Sequence, residues 1–136
     1  MNRRQFIEKM IAAGTAPLFL PARSIGRAGA PAPSERLTLA CIGLGGQGTQ
    51  NLRAFIQHPD IQLAALCDVN QGSDDYDMLY QFDGSSSAGL EPALRRAVQF
   101  HRDAERDFSA RDVSTYRDFR ELLVRRDIDL VSVCTP

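Results

Sequence analysis

The fold is decided by the stretch Gly43-Leu44-Gly45-Gly46-Gln47-Gly48, a G-x-G-x-x-G pattern between a short apolar run and a helix-like segment. Asp68 follows at the far end of a second apolar run. A nucleotide-binding βαβ unit has these parts in this order: strand, glycine turn, helix, strand and acidic residue. The first glycine permits a sharp turn, the second lets the backbone approach a pyrophosphate, and the third lets the helix pack close to the sheet. The pattern predicts a dinucleotide site, with helix N–H groups facing the phosphates and Asp68 accepting from the adenosine ribose hydroxyls.

The segments on either side of the glycines have the patterns of two buried parallel strands and one helix. Leu37 to Ile42 predicts the first strand, and Ile61 to Cys67 predicts the second. Between them, apolar residues at helical spacing form one stripe before Pro59 closes the helix: Leu52, Phe55 and Ile56. The alternative is a glycine-rich turn in another α/β domain, with Asp68 as an ordinary carboxylate at the end of a strand.

Two other kinds of nucleotide site fit the glycine segment less well. A P-loop needs Gly-Lys-Ser/Thr after its glycines, and this segment contains no lysine. An S-adenosylmethionine methyltransferase usually carries an acid just before its glycines, where this chain has the run Ala40–Ile42.

Asp68 would repel a 2′-phosphate but accept from a free 2′-hydroxyl, and Val69 and Asn70 offer no cation to bind a phosphate. We therefore expect NAD as the cofactor in preference to NADP.

The first residues of the chain have the layout of an export signal. Arg3 and Arg4 precede a modest apolar stretch from Met10 to Leu20, about 11 residues long against the roughly 20 that span a bilayer. A small-residue segment with prolines follows as far as Pro33. The adjacent arginines resemble the twin-arginine type of signal, which in bacteria routes folded proteins across the membrane. We predict a signal peptide and linker over residues 1–36 and a periplasmic or otherwise exported protein. The alternatives are an uncleaved tether and a disordered basic N-terminus.

Charge and compartment restrict the partners. The formal net charge is −1, acidic residues outnumber basic ones after residue 36, and no basic stripe suits a nucleic acid. We expect a small molecule or another protein as partner, with membrane contact only through the signal. Because the space outside the inner membrane has no obvious nicotinamide supply, we expect the protein to fold around its cofactor before export and to keep it between turnovers.

Weaker signals follow in the second half of the chain. Pro92 suits a first helical position, and the residues Leu94, Ala97, Val98 and His101 would form a stripe with His101 partly exposed. Ser109 to Val113 is a short candidate for the third strand. Thr115 could cap a helix carrying the stripe Phe119, Leu122 and Leu123. Apolar residues from Ile128 to Cys134 predict a last strand that ends at Thr135-Pro136.

Acidic and thiol side chains do not suggest a metal site. The polar segment from Asn70 to Glu91 holds Asp74, Asp75 and Asp77, which we interpret as part of a solvated surface loop because no histidine or glutamate completes a ligand set nearby. The cysteines Cys41, Cys67 and Cys134 fall one to each predicted strand. Their odd number and strand-interior positions predict small buried side chains rather than disulfides or zinc ligands.

The chain resembles the N-terminal part of the glucose–fructose oxidoreductase and inositol dehydrogenase (Gfo/Idh/MocA-type) family, particularly its exported bacterial members. The residues that carry the resemblance are the arginine pair Arg3-Arg4, Ile42 with the glycine segment, Cys67-Asp68-Val69, Tyr116 through Leu123, and Asp127 through Pro136. It implies an α/β fold with a Rossmann-type doubly wound parallel sheet, incomplete over residues 37–136 with about four strands. It also implies that Thr135 and Pro136 lie near the nicotinamide ribose.

The resemblance further implies an NAD-dependent oxidoreductase acting on a sugar or polyol, a homo-oligomer when complete. The family's catalytic lysine and its α+β substrate domain would lie beyond residue 136, so we expect this chain to be a fragment that is inactive alone and to hold no catalytic residue. A glycosidase that oxidises and re-reduces the same sugar is an alternative, as is a non-catalytic dinucleotide-binding remnant. The expected cofactor-binding residues are Gly43, Leu44, Gly45, Gly46, Gln47, Gly48, Asp68, Thr135 and Pro136.

Overall fold

The computed structural model describes residues 31–74, 86–104, 106 and 108–135. The strands are β1 (Leu37–Ile42), β2 (Ile61–Cys67), β3 (Ser114–Tyr116) and β4 (Leu130–Val133). The α-helices are α1 (Gly46–Ile56), α2 (Leu90–Asp103) and α3 (Phe119–Leu123). Within these ranges no helix has both the length and the apolar character needed to cross a bilayer. The arginine pair and apolar stretch of the predicted signal peptide lie outside the described residues.

The strands form one sheet in the order β3-β2-β1-β4, and every pairing is parallel. From β1 the chain steps outward to β2 and β3, then returns across the sheet to pair β4 with the other side of β1. Two apolar clusters cover its two faces. The larger includes β1, β2, α1 and α2 residues, and the smaller packs Leu122 of α3 on the opposite face. The fold is therefore the α/β, doubly wound parallel sheet expected for an incomplete Rossmann-like domain.

The register of β2 contains an irregularity that the sequence pattern did not reveal. The pairing of β1 with β2 skips one residue, Ala64. Because side chains alternate between faces along a strand, this extra residue lets Leu63 and Leu66 both point into the larger cluster. The two leucines are almost completely buried under α1 and α2. The bulge thus lets an apparently continuous apolar strand supply bulky side chains to the more heavily covered face.

The first three predicted elements are confirmed, but the predicted start of α2 is wrong. The helix begins at Leu90, with Gly89 as N-cap at φ 113°. The N–H groups of Leu90 and Glu91 donate to the carbonyls of Asn70 and Gln71 at 3.0 Å and 2.9 Å. These bonds supply acceptors for the first turn, so Pro92 falls at the third helical position, where its missing donor is no loss.

The prediction that His101 is partly exposed is also wrong. Its side chain is only 6% exposed at the end of α2. The imidazole lies 4.0 Å from the ring of Phe108 and 5.6 Å from that of Phe100, measured between centroids. Neither ring nitrogen has a hydrogen-bond partner within the described part of the chain. Burial, together with the nearby positive charge of Arg106, lowers the pKa of His101 from 6.5 to about 4.

The elements between α2 and β4 differ from those predicted. Ser109 and Asp112 form a capping box around a 3₁₀ turn, so the expected strand over 109–113 is wrong and β3 begins at Ser114. Asp118, not Thr115, caps α3: its Oδ1 accepts from the N–H of Arg120 at 2.9 Å. Serine and aspartate at this spacing satisfy local backbone donors, which favours a turn over an extended strand.

The strand β4 lies at an edge of the sheet. Within the described residues it pairs only with β1, and Leu130, Val131 and Val133 are all exposed. At its start, the N–H of Thr38 donates to Oδ2 of Asp129 at 2.8 Å, and the N–H of Asp129 donates to the carbonyl of Thr38 at 3.0 Å. These bonds fix the start of β4 against β1, so its far end meets the glycine segment.

Candidate nucleotide-binding site

The glycine segment lies at the point where the order of the sheet reverses. Gly43 follows β1 directly, and Cys134 follows β4 on the side away from β2. In open parallel sheets, ligands bind outside the carboxyl ends of the strands at such a switch point. The site predicted from the glycine pattern and the site expected from the topology are therefore the same place.

Gly43 makes a turn that a side chain would prevent. Its φ is +83°, a backbone conformation that favours glycine, and its N–H donates to the carbonyl of Cys67 at 2.9 Å. A Cβ on this residue would lie 2.3 Å from the carbonyl oxygen of Cys134. The first glycine is thus required both for the turn after β1 and for the close approach of the chain leaving β4.

Gly48 allows α1 to start close to that turn. A Cβ here would lie 1.9 Å from the carbonyl oxygen of Gly43, which no L side chain can tolerate. The side of α1 that faces the sheet carries the predicted stripe, since Leu52 and Ile56 are buried and Phe55 is partly buried. The third glycine therefore has the packing role that the motif predicts.

The start of α1 presents backbone donors without a side-chain cap. Gly45 is the N-cap and makes no side-chain hydrogen bond, and the first turn contains no acidic residue. The first N–H groups of a helix have no acceptor within the helix, and the helix dipole favours an anion beside them. The segment Gly46-Gln47-Gly48 is therefore suited to a phosphate. The first turn of α2 is not comparable, because carbonyls of the chain accept its N–H groups.

Leu44 connects the glycine segment to its surroundings. Its N–H donates to Oδ2 of Asp68 at 2.5 Å, and its carbonyl accepts from the N–H of Gly89 at 2.9 Å and the hydroxyl of Thr49 at 3.0 Å. Its side chain is completely buried in the larger apolar cluster. Both backbone polar groups of this predicted cofactor-binding residue, its N–H and its carbonyl, are thus hydrogen-bonded within the protein.

Asp68 directly follows β2, as predicted, and its side chain faces the glycine segment. The side chain is buried, and besides the bond from Leu44 its Oδ1 accepts from the N–H of Asn70 at 2.8 Å. A carboxylate has about four lone-pair sites, so these two bonds leave it capacity for a ribose hydroxyl. The arrangement fits the predicted role and adds a structural one.

Asn51 and Cys134 were not singled out as a pair by the sequence. The side-chain amide of Asn51 donates to Sγ of Cys134 at 2.9 Å and accepts from the amide of Gln47 at 3.0 Å. The i, i+4 spacing of Gln47 and Asn51 was the available signal, but it did not indicate a partner on β4. Cys134 follows the strand and is partly exposed, so the expected buried position is wrong for this thiol. Thr135 is exposed beside it, and Pro136 lies outside the described residues.

The other two thiols are buried as predicted. Burial, and secondarily the neighbouring Cys134, raises the pKa of Cys41 from 9.0 to about 12. Burial also raises the pKa of Cys67, with a smaller effect from the negative charge of Asp68. Both thiols remain neutral in ordinary buffers, so they pack as apolar groups in the two core clusters.

Arg117 is a residue near the site that the sequence reasoning missed. It follows β3, which pairs with β2, and its Nη2 donates to the carbonyl of Val69 at 3.3 Å. The two residues that follow Asp68 in the chain, Val69 and Asn70, carry no positive charge. Because the third strand was predicted over residues 109–113 instead of 114–116, the sequence did not indicate that Arg117 reaches the same end of the sheet as Asp68.

Within the described ranges, neither metal-ligating side chains nor the groove between α1 and α2 compete with this site. No group of three or more metal-ligating side chains occurs there, and of the predicted acidic loop residues Asp75 and Asp77 lie outside those ranges. A groove of about 230 Å³ lies between α1 and α2 and is lined in part by Leu52, Arg96 and Phe100. It lies along the helices, apart from Gly43 and the strand ends.

Comparison with known proteins shows a distant similarity. The chain is 28% identical over 102 residues to glycosyl hydrolase family 109 protein 1 of Shewanella sp. (strain ANA-3), a match that covers 75% of this chain and 18% of the relative. The proteins of the same name from strains MR-4 and MR-7 match to the same extent. The match spans less than a fifth of the length of these relatives. No family model matches the chain, and no solved structure matches it.

Proposed function

We propose that the chain is the NAD-binding part of an oxidoreductase that acts on a sugar or polyol. The observation that carries the proposal is the start of α1, where an uncapped first turn, two glycines that exclude side chains and the carboxylate of Asp68 meet at the switch point of the sheet. This combination suits a diphosphate joined to a ribose. The predicted cofactor residues are those from Gly43 to Gly48, with Asp68, Thr135 and Pro136.

In this proposal each part of the site has a separate task. The N–H groups of the first turn of α1 hold the pyrophosphate, and Asp68 orients the adenosine ribose. Thr135, which follows β4 next to Gly43, faces the nicotinamide half. Bound NAD would supply the hydride acceptor. The base that takes the substrate's hydroxyl proton belongs to the remainder of the protein, and none of the residues described here is assigned that role.

A glycosidase that uses bound NAD and restores it within each turnover is the second candidate. The observation that favours it is the similarity to the Shewanella relatives, whose name describes them as glycosyl hydrolases. The two candidates share the cofactor site and differ in their products. With the complete protein, released sugar and unchanged NAD would support the glycosidase, whereas accumulation of NADH together with an oxidised sugar would support the oxidoreductase.

Calorimetric titration of the chain with NAD tests the shared part of the proposal. We expect saturable binding that is weakened by Gly48→Ala, and we expect NAD to bind more tightly than NADP. A matched control is Gly72→Ala, whose new Cβ would meet only ring carbons of Pro92, at 3.2 Å and 3.5 Å. A folded protein that binds neither dinucleotide would refute a cofactor site here.

We further propose that residues 1–36 are a twin-arginine-type signal peptide and linker, and that the protein takes up its cofactor before export. We also propose that the complete protein is periplasmic or otherwise exported and forms a homo-oligomer. Arg3 and Arg4 ahead of the apolar stretch support the first point. Fusing residues 1–36 to a reporter that is active only when exported tests it, with Arg3→Lys and Arg4→Lys together as the variant. Export that survives this double substitution would contradict the proposal. Nucleotide retained by protein purified from the periplasm would support cofactor loading before export.

A further inference from the structure

Strand pairing brings Arg117 beside Val69, the residue that follows the proposed ribose-binding acid Asp68. In the register of β2 with β3, Cys67 lies opposite Tyr116, and the N–H of Asp68 donates to the carbonyl of Tyr116 at 3.2 Å. The residues that follow the two strands therefore leave the sheet side by side. The bond from Nη2 of Arg117 to the carbonyl of Val69, at 3.3 Å, spans this gap.

The guanidinium of Arg117 has donors to spare. A guanidinium carries five N–H donors, and within the described residues Arg117 uses one of them, in its bond to Val69. The nearest acid along the chain, Asp118, is bonded to the backbone and guanidinium of Arg120. The side chain of Arg117 is exposed, so its remaining donors face solvent at the carboxyl end of the sheet.

Charges of opposite sign therefore lie near the proposed ribose position. Asp68 carries a negative charge that is buried and held by the N–H groups of Leu44 and Asn70. Arg117 brings a positive, exposed fork to the outer side of Val69, whose own side chain is 76% exposed. A phosphate attached to the ribose at this edge would meet both groups. Arginine is well suited to bind it, because its planar fork matches phosphate oxygens in pairs.

We propose that Arg117 is a specificity-determining residue of the nucleotide site, which binds the 2′-phosphate of NADP and so narrows the preference for NAD that Asp68 creates. The proposal rests on the proposed dinucleotide function and adds the residue that sets the ratio of the two affinities. The sequence expectation that no cation is available for a 2′-phosphate rested on Val69 and Asn70 alone. Arg117 supplies that cation from the segment after the adjacent strand, β3.

The test is a calorimetric comparison of NAD and NADP binding to the 136-residue chain and to Arg117→Gln. We expect the variant to bind NADP about tenfold more weakly, the size expected for losing a charged hydrogen bond, and NAD within about twofold of the wild type. Arg117→Lys should retain part of the affinity for NADP, because it keeps the charge but loses the fork. The matched control is Arg120→Gln, an exposed arginine near Asp118 and Phe119 that should leave both affinities unchanged.

Two adenosine fragments extend the test to the phosphate itself. Adenosine 2′,5′-bisphosphate should lose affinity in Arg117→Gln, and adenosine 5′-monophosphate should not. The affinity of the bisphosphate should also fall more steeply with salt in the wild type than in the variant. Suppose that the wild type binds NAD but Arg117→Gln changes the affinities for NAD and NADP equally, or changes neither. That result would overturn the role of Arg117 and leave the proposed function standing. Failure of the wild type to bind either dinucleotide would overturn the proposed function and this inference together.

Discussion

The N–H of Leu44 and the carboxylate of Asp68 are joined at 2.5 Å, so the acid at the end of β2 holds the glycine segment in place without any ligand. A second N–H, from Asn70, holds the other carboxylate oxygen at 2.8 Å. Asp68 therefore connects the turn after β1 to the turn after β2. Its expected contact with a ribose would be made by a group that the scaffold has already oriented, which lowers the cost of ordering it on binding.

Asp68→Asn separates these two roles. An amide presents only one acceptor oxygen, so one of the two backbone N–H groups would face an NH₂ donor and lose its bond. We expect the ligand-free protein to lose about 1.5–3 kcal/mol of unfolding free energy, as for other hydrogen bonds to charged groups. Urea denaturation without nucleotide measures this, with the exposed Asp74→Asn as control. An unchanged midpoint for Asp68→Asn would mean that its bonds to the loops do not stabilise the fold.

Gly48→Ala tests the contact between α1 and the turn. The new Cβ would lie 1.9 Å from the carbonyl oxygen of Gly43, so the helix must move away from the strand end. We expect a loss of about 1–3 kcal/mol or more, typical of overpacking a tight contact. Thermal unfolding followed by circular dichroism gives the comparison with Gly72→Ala, where the neighbours are side-chain carbons. Equal stability of the two variants would contradict the close packing at Gly48.

His101 predicts a particular loss of stability in acid. Its folded-state pKa is lowered to about 4 from 6.5, so between these values the unfolded chain holds a proton that the folded chain does not. His101 therefore leaves the free energy of unfolding unchanged above pH 6.5. As the pH drops from 6.5 towards 4, His101 lowers that free energy by at most about 1.4 kcal/mol per pH unit. Urea denaturation at pH 7, 6 and 5 measures the slope. His101→Leu should reduce it, and an equal slope in both proteins would assign the acid sensitivity to other groups.

The thiols should differ in reactivity. Cys41 and Cys67 are buried and their pKa values are raised, whereas Cys134 is partly exposed next to Asn51. We expect a disulfide reagent at pH 8 to modify Cys134 rapidly and the other two only when the chain unfolds, because the thiolate is the reactive form. Cys134→Ser should remove the rapid phase and leave the slow one. Persistence of rapid labelling in that variant would show that a core thiol is accessible.

Local patterns predicted β1, α1 and β2 well because each depends on neighbours in sequence. The apolar runs of the strands and the stripe through Leu52 and Ile56 are strong, and the glycine segment separates the first strand from the helix. The region from Ser109 to Asp118 was harder, because both serine and aspartate can cap a turn or a helix. A three-residue strand such as β3 carries too little pattern to be distinguished from the capped turn before it.

The sequence by itself determined the class of the fold, the place of the glycine turn and the identity of the acid that faces it, because these depend on residue type and short spacing. Only the tertiary structure decided which backbone groups that acid holds and which cation contacts the neighbouring Val69. Leu44 and Asp68 meet because β1 and β2 are neighbours, and Arg117 reaches Val69 because β3 is the next strand. Such contacts follow from the order and register of the sheet, which are set by the packing of the whole domain rather than by any one segment.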